Sequence, residues 1–424
     1  MSFQQGLSGL NAASKTLEAI GNNVANANTV GFKQSQIQFA DVFASSSSFA
    51  GGGGSTIGTG VRVSKVAQQF SQGNVTASNN PLDLAINGGG FFRMSKGGEV
   101  SFGRNGQFQL DKTGYIVNAS GARLTGYSAD VNGKLSTGTP VDIHIATADL
   151  APHATEKIAT LLNLDSRNVT PTTTPFAIDD PTSFNSATSV SVFDTLGNSH
   201  VLQTYYVKTG ASSWDVYGAA DEQPLNFTPG SAGPPVVPGT QTPIGQLVFG
   251  PDGALDATTT AAMPFTATVP VATGATNPLT IAMDYSGTTQ FGAQFSVNTL
   301  NQDGYASGRL SGFKVGGDGE IVGSYTNGKF NTLGQVALAS FANPNGLQPL
   351  GDNLWSETAD SGAPLVGAPG SGSLGELQSS AVEDSNVDLT AELVNMITAQ
   401  RIYQANAQTI KTMDQAMQTL VNLR

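Results

Sequence analysis

Apolar residues recur at three- and four-residue spacing only at the two ends of this chain. Phe3, Leu7, Leu10, Leu17, Ile20 and Val24 predict a helix from about Phe3 to Asn26, closed near Asn28-Thr29-Val30-Gly31. Leu389, Leu393, Met396, Tyr403, Ala407, Ile410, Met417 and Val421 predict a second, with Asp388 as N-cap and Glu392 in its first turn. No Gly or Pro interrupts that stretch, so the helix should reach about 50 Å at the standard rise. An apolar stripe of this period is buried only when another helix closes over it. The two ends can close over each other, and further burial requires other copies of the chain.

Between the ends the period changes to two. Val61 and Val63, then Leu82, Leu84 and Ile86, alternate as half-buried strands do. Gly88-Gly89-Gly90 before Phe91-Phe92 predicts a tight turn and then an aromatic plug. Val190–Asn198, Val201–Val207 and Trp214–Tyr217 read as hairpin strands, as do Arg309–Val315 and Glu320–Tyr325 around Gly316-Gly317-Asp318-Gly319. A further strand is expected over Gln335–Phe341. Ala44–Gly60 and the Pro-rich stretch Pro229–Pro243 read as a flexible linker and a loop. The expected fold class is therefore multidomain α+β, mainly β domains nested between N- and C-terminal helices that form a coiled-coil layer. The expected division is 1–30 with 386–424 (helical), 31–74 with 366–385 (connector), 75–145 with 286–365 (inner β domain) and 146–285 (inserted outer β domain).

Charge sharpens this division. Charged residues are only 12% of the chain, and the net charge is −12. Residues 1–33 carry +1 and residues 386–424 carry 0, so the whole deficit lies between them. Solvated helices are normally studded with Lys and Glu, whereas these use Asn, Gln, Ala, Ser and Thr, including Gln400, Gln404 and Gln408 at i, i+4 spacing. The acidic balance excludes nucleic acid and an anionic membrane as expected partners. No apolar run reaches the ~18 residues a membrane span needs. The N-terminus also lacks the layout of a cleavable signal peptide.

Candidate chemistry is sparse. With no cysteine there is no disulfide, thiolate metal site or Cys nucleophile. His144, His153 and His200 stand at no ligand spacing, and surface or packing roles are expected. Asp303-Gly304 and Asp318-Gly319 lack the alternating acidic ligands of a Ca²⁺ loop. The glycine triplet lacks the Lys-Ser/Thr of a phosphate loop. No catalytic residue, metal or cofactor is expected. The Asn cluster Asn22, Asn23, Asn26 and Asn28 can end the helix, or some of its amides can fix register between subunits, or both.

Two stretches carry a family pattern. Gly21-Asn22-Asn23-Val24-Ala25-Asn26-Ala27-Asn28-Thr29-Val30-Gly31-Phe32-Lys33, after Gly9-Leu10-Asn11-Ala12-Ala13, resembles the N-terminal motif of bacterial flagellar rod and hook proteins. Asn386-Val387-Asp388-Leu389, Glu392-Leu393-Val394, Met396-Ile397, Ala399-Gln400-Arg401 and Tyr403-Gln404-Ala405-Asn406-Ala407 resemble their C-terminal motif. Leu82–Ile86 with Gly90-Phe91-Phe92 is similar to their shared β domain, and Gln335–Asn343 through Gly351–Trp355 to its hook branch. The resemblance implies a non-enzymatic structural subunit exported through the flagellar type III apparatus to an extracellular hook. There it would polymerise with itself into a curved tube that passes motor torque to the filament as a universal joint. Implied partners besides copies of itself are the rod, the hook cap, the hook–filament junction proteins and the export apparatus. The expected assembly residues are Leu7, Leu10, Leu17, Ile20, Asn22, Val24 and Asn26 at one end, and Leu389, Leu393, Met396, Tyr403, Ile410, Met417 and Val421 at the other. The competing readings are a distal rod subunit, disfavoured by the inserted β domain, and a secreted β-rich adhesin, which has no use for paired terminal helices.

Overall fold

The structure, a computed structural model, describes residues 2–42, 58–131, 133–146, 148–225, 241–256, 258, 260 and 263–422. The expected linker Ala44–Gly60 lies outside the described residues except for 58–60, and the Pro-rich stretch except for 241–243. The chain forms two compact units. One comprises Met1–Thr147, Ser311–Ser324 and Phe330–Arg424, and the other Ala148–Leu310 with Tyr325–Lys329. The multidomain α+β class is borne out.

In the first unit, helix α1 (Ser2–Ala25) and helix α2 (Leu389–Asn422) lie side by side. Asp388 caps α2: its Oδ1 accepts the N–H groups of Thr390 (2.8 Å) and Ala391 (3.2 Å), two of the donors a helix start leaves open. After α1 the chain forms an antiparallel hairpin of β1 (Ser35–Val42) and β2 (Gly60–Gln68), whose register shifts between Gln38 and Phe39. The two halves of the sequence then pair strand by strand. Val75–Ala77 joins Ala381–Glu383, and Leu84–Asn87 joins Glu376–Ser379. Leu84, Ala85 and Ile86 are all buried, where a half-buried alternation was expected. That short strand lies between Glu376–Ser379 and the backbone of Gly106, whose carbonyl accepts the Leu84 N–H at 2.9 Å, so neither parity of side chain reaches water.

The main sheet runs in the order Leu310–Val315, Glu320–Tyr325, Phe330–Val336, Arg123–Ser128, Phe91–Lys96, Glu99–Gly103, Leu354–Ser356 and Gln348–Gly351. Gly88 and Gly90 adopt φ of +115° and +116°, and the turn they make delivers Phe91 and Phe92 into the interior. Phe91, Phe102, Phe341 and Trp355 pack edge to face there, with Phe102 and Phe341 centroids 4.8 Å apart. The expected strand Gln335–Phe341 is split into Phe330–Val336 and Leu338–Ser340. The first half pairs with Glu320–Tyr325 and Arg123–Ser128, the second with Phe91–Lys96 and Leu365–Gly367.

The second unit is a sandwich of two sheets. In one, Lys157–Asp165 is central: Leu279–Asp284 and Thr289–Phe291 run parallel to it, and Ser296–Gln302 antiparallel. In the other, Ser186–Phe193, Ser199–Lys208 and Ser213–Ala220 pair as consecutive antiparallel strands, joined by Gly245–Val248. Their inner faces share a core that includes Trp214, Tyr206, Tyr285, Leu162, Ile281 and Leu202. This unit extends past the expected boundary at 285. Thr289–Phe291 and Ser296–Gln302 both pair with Lys157–Asp165, so the return to the first unit comes near residue 311.

The histidines are dispersed. His144 Nε2 lies 2.9 Å from Thr113 O, and His153 stacks on Tyr305. His200 is buried, with Nδ1 2.6 Å from Asp221 Oδ2 and Nε2 3.5 Å from Asp194 Oδ2. Burial alone would lower its pKa, but hydrogen bonds and charge from Asp221 and Asp194 more than offset this and raise it. A raised folded-state value means that the imidazolium stabilises the unit fully below its ordinary pKa near 6.5 and loses that effect as pH rises through the folded value. His200→Asn should therefore destabilise by about 1–3 kcal/mol in mild acid, and the difference from the parent should shrink towards pH ~9. Thermal unfolding of both proteins across that range reads this directly. A difference that grows with pH would reverse the assignment.

Candidate assembly site

The helices are set by what precedes and follows them. Gly31 turns the chain out of α1 at φ +71°, and a Cβ there would stand 2.5 Å from Asn105 N, so only glycine fits. Its N–H donates to Glu383 O at 2.8 Å. Two residues later Lys33 is fully buried. Its Nζ lies 2.6 Å from Glu383 Oε1 and donates to Ser71 O at 2.6 Å. Arg104 Nη1 reaches the other carboxylate oxygen at 3.0 Å, and its Nη2 donates to Gly88 O at 2.8 Å. The Gly73 N–H completes the shell of Glu383 at 2.9 Å. Burial pulls the Lys33 amine below its ordinary pKa while the Glu383 charge opposes that pull. One carboxylate thus ties the exit of α1, the approach to α2 and the inner β layer.

A second polar knot lies beside it. Asn23 is buried, and its side chain bonds Ser35 as a neighbouring strand would. Nδ2 donates to Ser35 O and Oδ1 accepts Ser35 N–H, both at 2.9 Å. Nδ2 also stands 3.4 Å from Glu392 Oε1, which accepts the Gln34 side-chain amide. Asn386 accepts the Gln34 N–H at 2.8 Å and donates to Gln69 O at 2.7 Å. The predicted pair Asn22 and Asn26 bond each other instead: Asn26 Nδ2 donates to Asn22 O and Oδ1 at 3.0 Å.

Between these knots and the helix tips, α1 and α2 run antiparallel. Gly6 faces Ile410, Gly9 faces Asn406, and Asn23 faces Glu392. A Cβ on Gly9 would lie 2.8 Å from the Asn406 side chain. The buried positions of the pair are Gly6, Ala13, Ile20, Asn23, Glu392 and Ala399. Of the predicted assembly residues, Ile20 is buried in this contact. Leu10, Leu17, Val24, Met396 and Ile410 are half-buried, and Leu7, Leu389, Leu393, Tyr403, Met417 and Val421 are exposed. Small residues make most of the close contact, with Ile20 buried among them and Ile410 against Gly6, and most of the predicted large residues lie outside it. Val394, Ile397 and Ile402 add to this uncovered surface, each half exposed or more. Between α1, α2 and the β1–β2 hairpin lies a cleft of about 530 Å³, lined among others by Ala12, Thr16, Ile37, Phe39, Ile402 and Asn406.

Sequence reasoning missed Lys33, Arg104 and Glu383 as organising residues, and it placed Asn23 in the helix-ending cluster and Glu392 in the first turn of α2 without foreseeing that they bond to each other. The available signal was scarcity: in a chain with so few charges, Lys33, Arg104 and Glu383 are kept where they meet one another. Among the described residues no group of three or more His, Asp or Glu is placed to hold a metal, and no helix is long and apolar enough to cross a membrane.

Helices closed over small side chains, apolar stripes left outside them, and β layers strung between the two ends define a subunit built to assemble. Comparison with known proteins gives the family. Residues 3–33 match the family described as flagella basal body rod protein, and 378–423 the C-terminal part of flagellar basal body rod FlgEFG proteins. Residues 85–163 match the flagellar hook protein FlgE/F/G D1 domain, and 163–305 the flagellar basal body protein FlaE D2 domain. The chain is 42% identical to flagellar hook protein FlgE of Salmonella typhimurium over 434 residues and to that of Escherichia coli K12 over 439, covering 100% of each pair. The crystal structure of Helicobacter pylori flagellar hook protein FlgE2 aligns with a TM-score of 0.49 at 15% identity, over 72% of this chain and 99% of that one. The chain belongs to the flagellar hook protein family.

The buried cluster makes a ranked prediction. Glu383→Leu strands two buried cations and should cost about 3–5 kcal/mol. Lys33→Met leaves Glu383 still paired with Arg104 and should cost less. Urea unfolding of the monomers measures both, and the reverse order would remove Glu383 from the centre of the cluster.

Proposed function

We propose that this chain is the structural subunit of the bacterial flagellar hook, acting outside the cell. It polymerises with itself into a curved, flexible tube that passes motor torque to the filament as a universal joint. The observation that carries this reading is the uncovered apolar surface of two ordered helices. At the standard rise α2 is about 51 Å long and α1 about 36 Å, so the end of α2, with the exposed Met417 and Val421, projects past its partner. A soluble monomer rarely keeps an apolar face of this kind without a partner. Other copies supply that partner, through Leu7, Leu10, Leu17 and Val24 on α1 and Leu389, Leu393, Met396, Tyr403, Ile410, Met417 and Val421 on α2. Ile20, Asn22 and Asn26 support these faces from within the subunit.

The role is mechanical and not catalytic. The helical ends supply association energy along an inner wall, while the acidic β units form outer layers whose surfaces adjust as the tube bends. In this reading the first unit divides further into the helical ends, a connector around the β1–β2 hairpin and an inner β domain. The rod, the hook cap and the hook–filament junction proteins contact the ends of the polymer, and the type III export apparatus delivers the chain.

Electron microscopy of the purified full-length protein tests the assignment. Curved tubes are expected, straight ones would favour a rod subunit, and monomers at every concentration would defeat the proposal. Leu393→Asp with Ile397→Asp should abolish tubes, while changing monomer stability by less than about 1 kcal/mol because both side chains are exposed. Tubes that persist in this variant would take the outer face of α2 out of the interface.

A further inference from the structure

Glu392 and Arg401 on α2 each carry an unmet polar requirement, and they stand on opposite sides of the helix. Glu392 is 2% exposed and forms part of the wall of the helix–hairpin cleft. Its Oε1 is satisfied by Gln34 and Asn23, but its Oε2 is buried with no hydrogen-bond partner. A buried carboxylate oxygen without a donor is costly, so such an atom points to a group that the isolated subunit lacks. Arg401 is exposed, always charged, and has no partner among the described residues. The two residues lie about two and a half turns apart, close to 180° around α2 and about 14 Å along it.

We propose that the cleft receives a second copy of this chain, and that Arg401 of that copy supplies the missing donor to Glu392. The inference rests on the assembly reading above and names the contact through which one copy recognises the next. Of the other described cations on the helices, Lys15 is engaged by Glu18 at 2.7 Å. Lys411 is exposed but lies about 100° around the helix from Glu392, not opposite it. With donor and acceptor on opposite faces, the contact is head-to-tail: every copy gives Arg401 to one neighbour and Glu392 to another. A contact of that kind propagates as an open helix or a ring and does not stop at a symmetric dimer. A guanidinium that meets a carboxylate in a cleft walled by Ala12, Ala13 and Ala399 is also shielded from salt, which suits a contact that must hold under load.

The absence of native cysteine permits a direct test. Within one copy the two positions are about 14 Å apart, beyond the ~7 Å between Cα atoms that a disulfide can span. Full-length protein carrying both Glu392→Cys and Arg401→Cys, oxidised under assembly conditions, should give a covalent ladder extending beyond the dimer. Each single variant alone should not, and a mixture of the two singles should give a cross-linked dimer. Tubes without a ladder, or a product that stops at dimer in the double variant, would overturn the contact while leaving the assembly reading intact. Failure of the parent protein to form tubes would overturn both. Because the cysteines could themselves impair assembly, the critical concentration of Glu392→Gln and of Arg401→Gln gives a second measure. Each should rise about tenfold or more, and the double variant no further than the larger single effect. Additive effects, or none, would show that the two groups do not meet.

Discussion

The structure of the first unit depends on one buried carboxylate. Glu383 joins Lys33, Arg104 and the backbone of Gly31 and Gly73, groups drawn from the end of α1, the inner sheet and the connector. Removing so many polar groups from water is expensive, and the expense is offset only while all of them meet in one geometry. That requirement fixes where α1 leaves the β layer and, five residues after Glu383, where Asp388 starts α2. Hydrophobic contacts could have held the two ends together, but would have tolerated many angles between them. The ionic cluster tolerates few.

Given that anchor, the helix pair divides its surface between two tasks. Gly6, Gly9, Ala13 and Ala399 let the backbones approach and spend little side-chain volume on the contact within the subunit. Leu389, Leu393, Val394, Ile397, Tyr403 and Met417 remain outside it. Had the large residues faced inward, the monomer would be better packed and would have less apolar surface to offer a neighbour. The cost of leaving that surface wet is small per residue, and in the proposed assembly it would be recovered when a neighbour covers the surface.

The second unit needs no such compromise. Its two sheets enclose an aromatic and aliphatic core of their own, from Leu162 and Tyr206 to Trp214, Ile281 and Tyr285. Its buried charges are of the ordinary supporting sort. Asp194 accepts the N–H groups of Leu196 and Asn198 and the Thr273 hydroxyl, holding a turn, while His200 bridges it to Asp221. Stability here is local, as suits a domain inserted into the middle of a chain.

The sequence alone determined the large features. Seven-residue periodicity at each end, period two between them, Asp388 as a cap and the glycine turn before Phe91 and Phe92 are local signals, readable because each depends on neighbours a few residues away. The family was legible for the same reason, in motifs at the two termini. Tertiary structure decided what depends on distant neighbours. It placed Thr289–Phe291 and Ser296–Gln302 on Lys157–Asp165 and so moved a domain boundary from 285 to about 310. It buried Asn23, Lys33 and Glu392, which on polarity alone belong at the surface. It also placed Gly6, Ala13 and Ala399, with Ile20, in the contact between helices and left most of the neighbouring large residues outside it. A heptad pattern says that a seam exists, whereas which side of it is closed at home and which is kept for a neighbour depends on how closely two backbones can approach. That distance was set by glycines and by a carboxylate more than 350 residues away from α1.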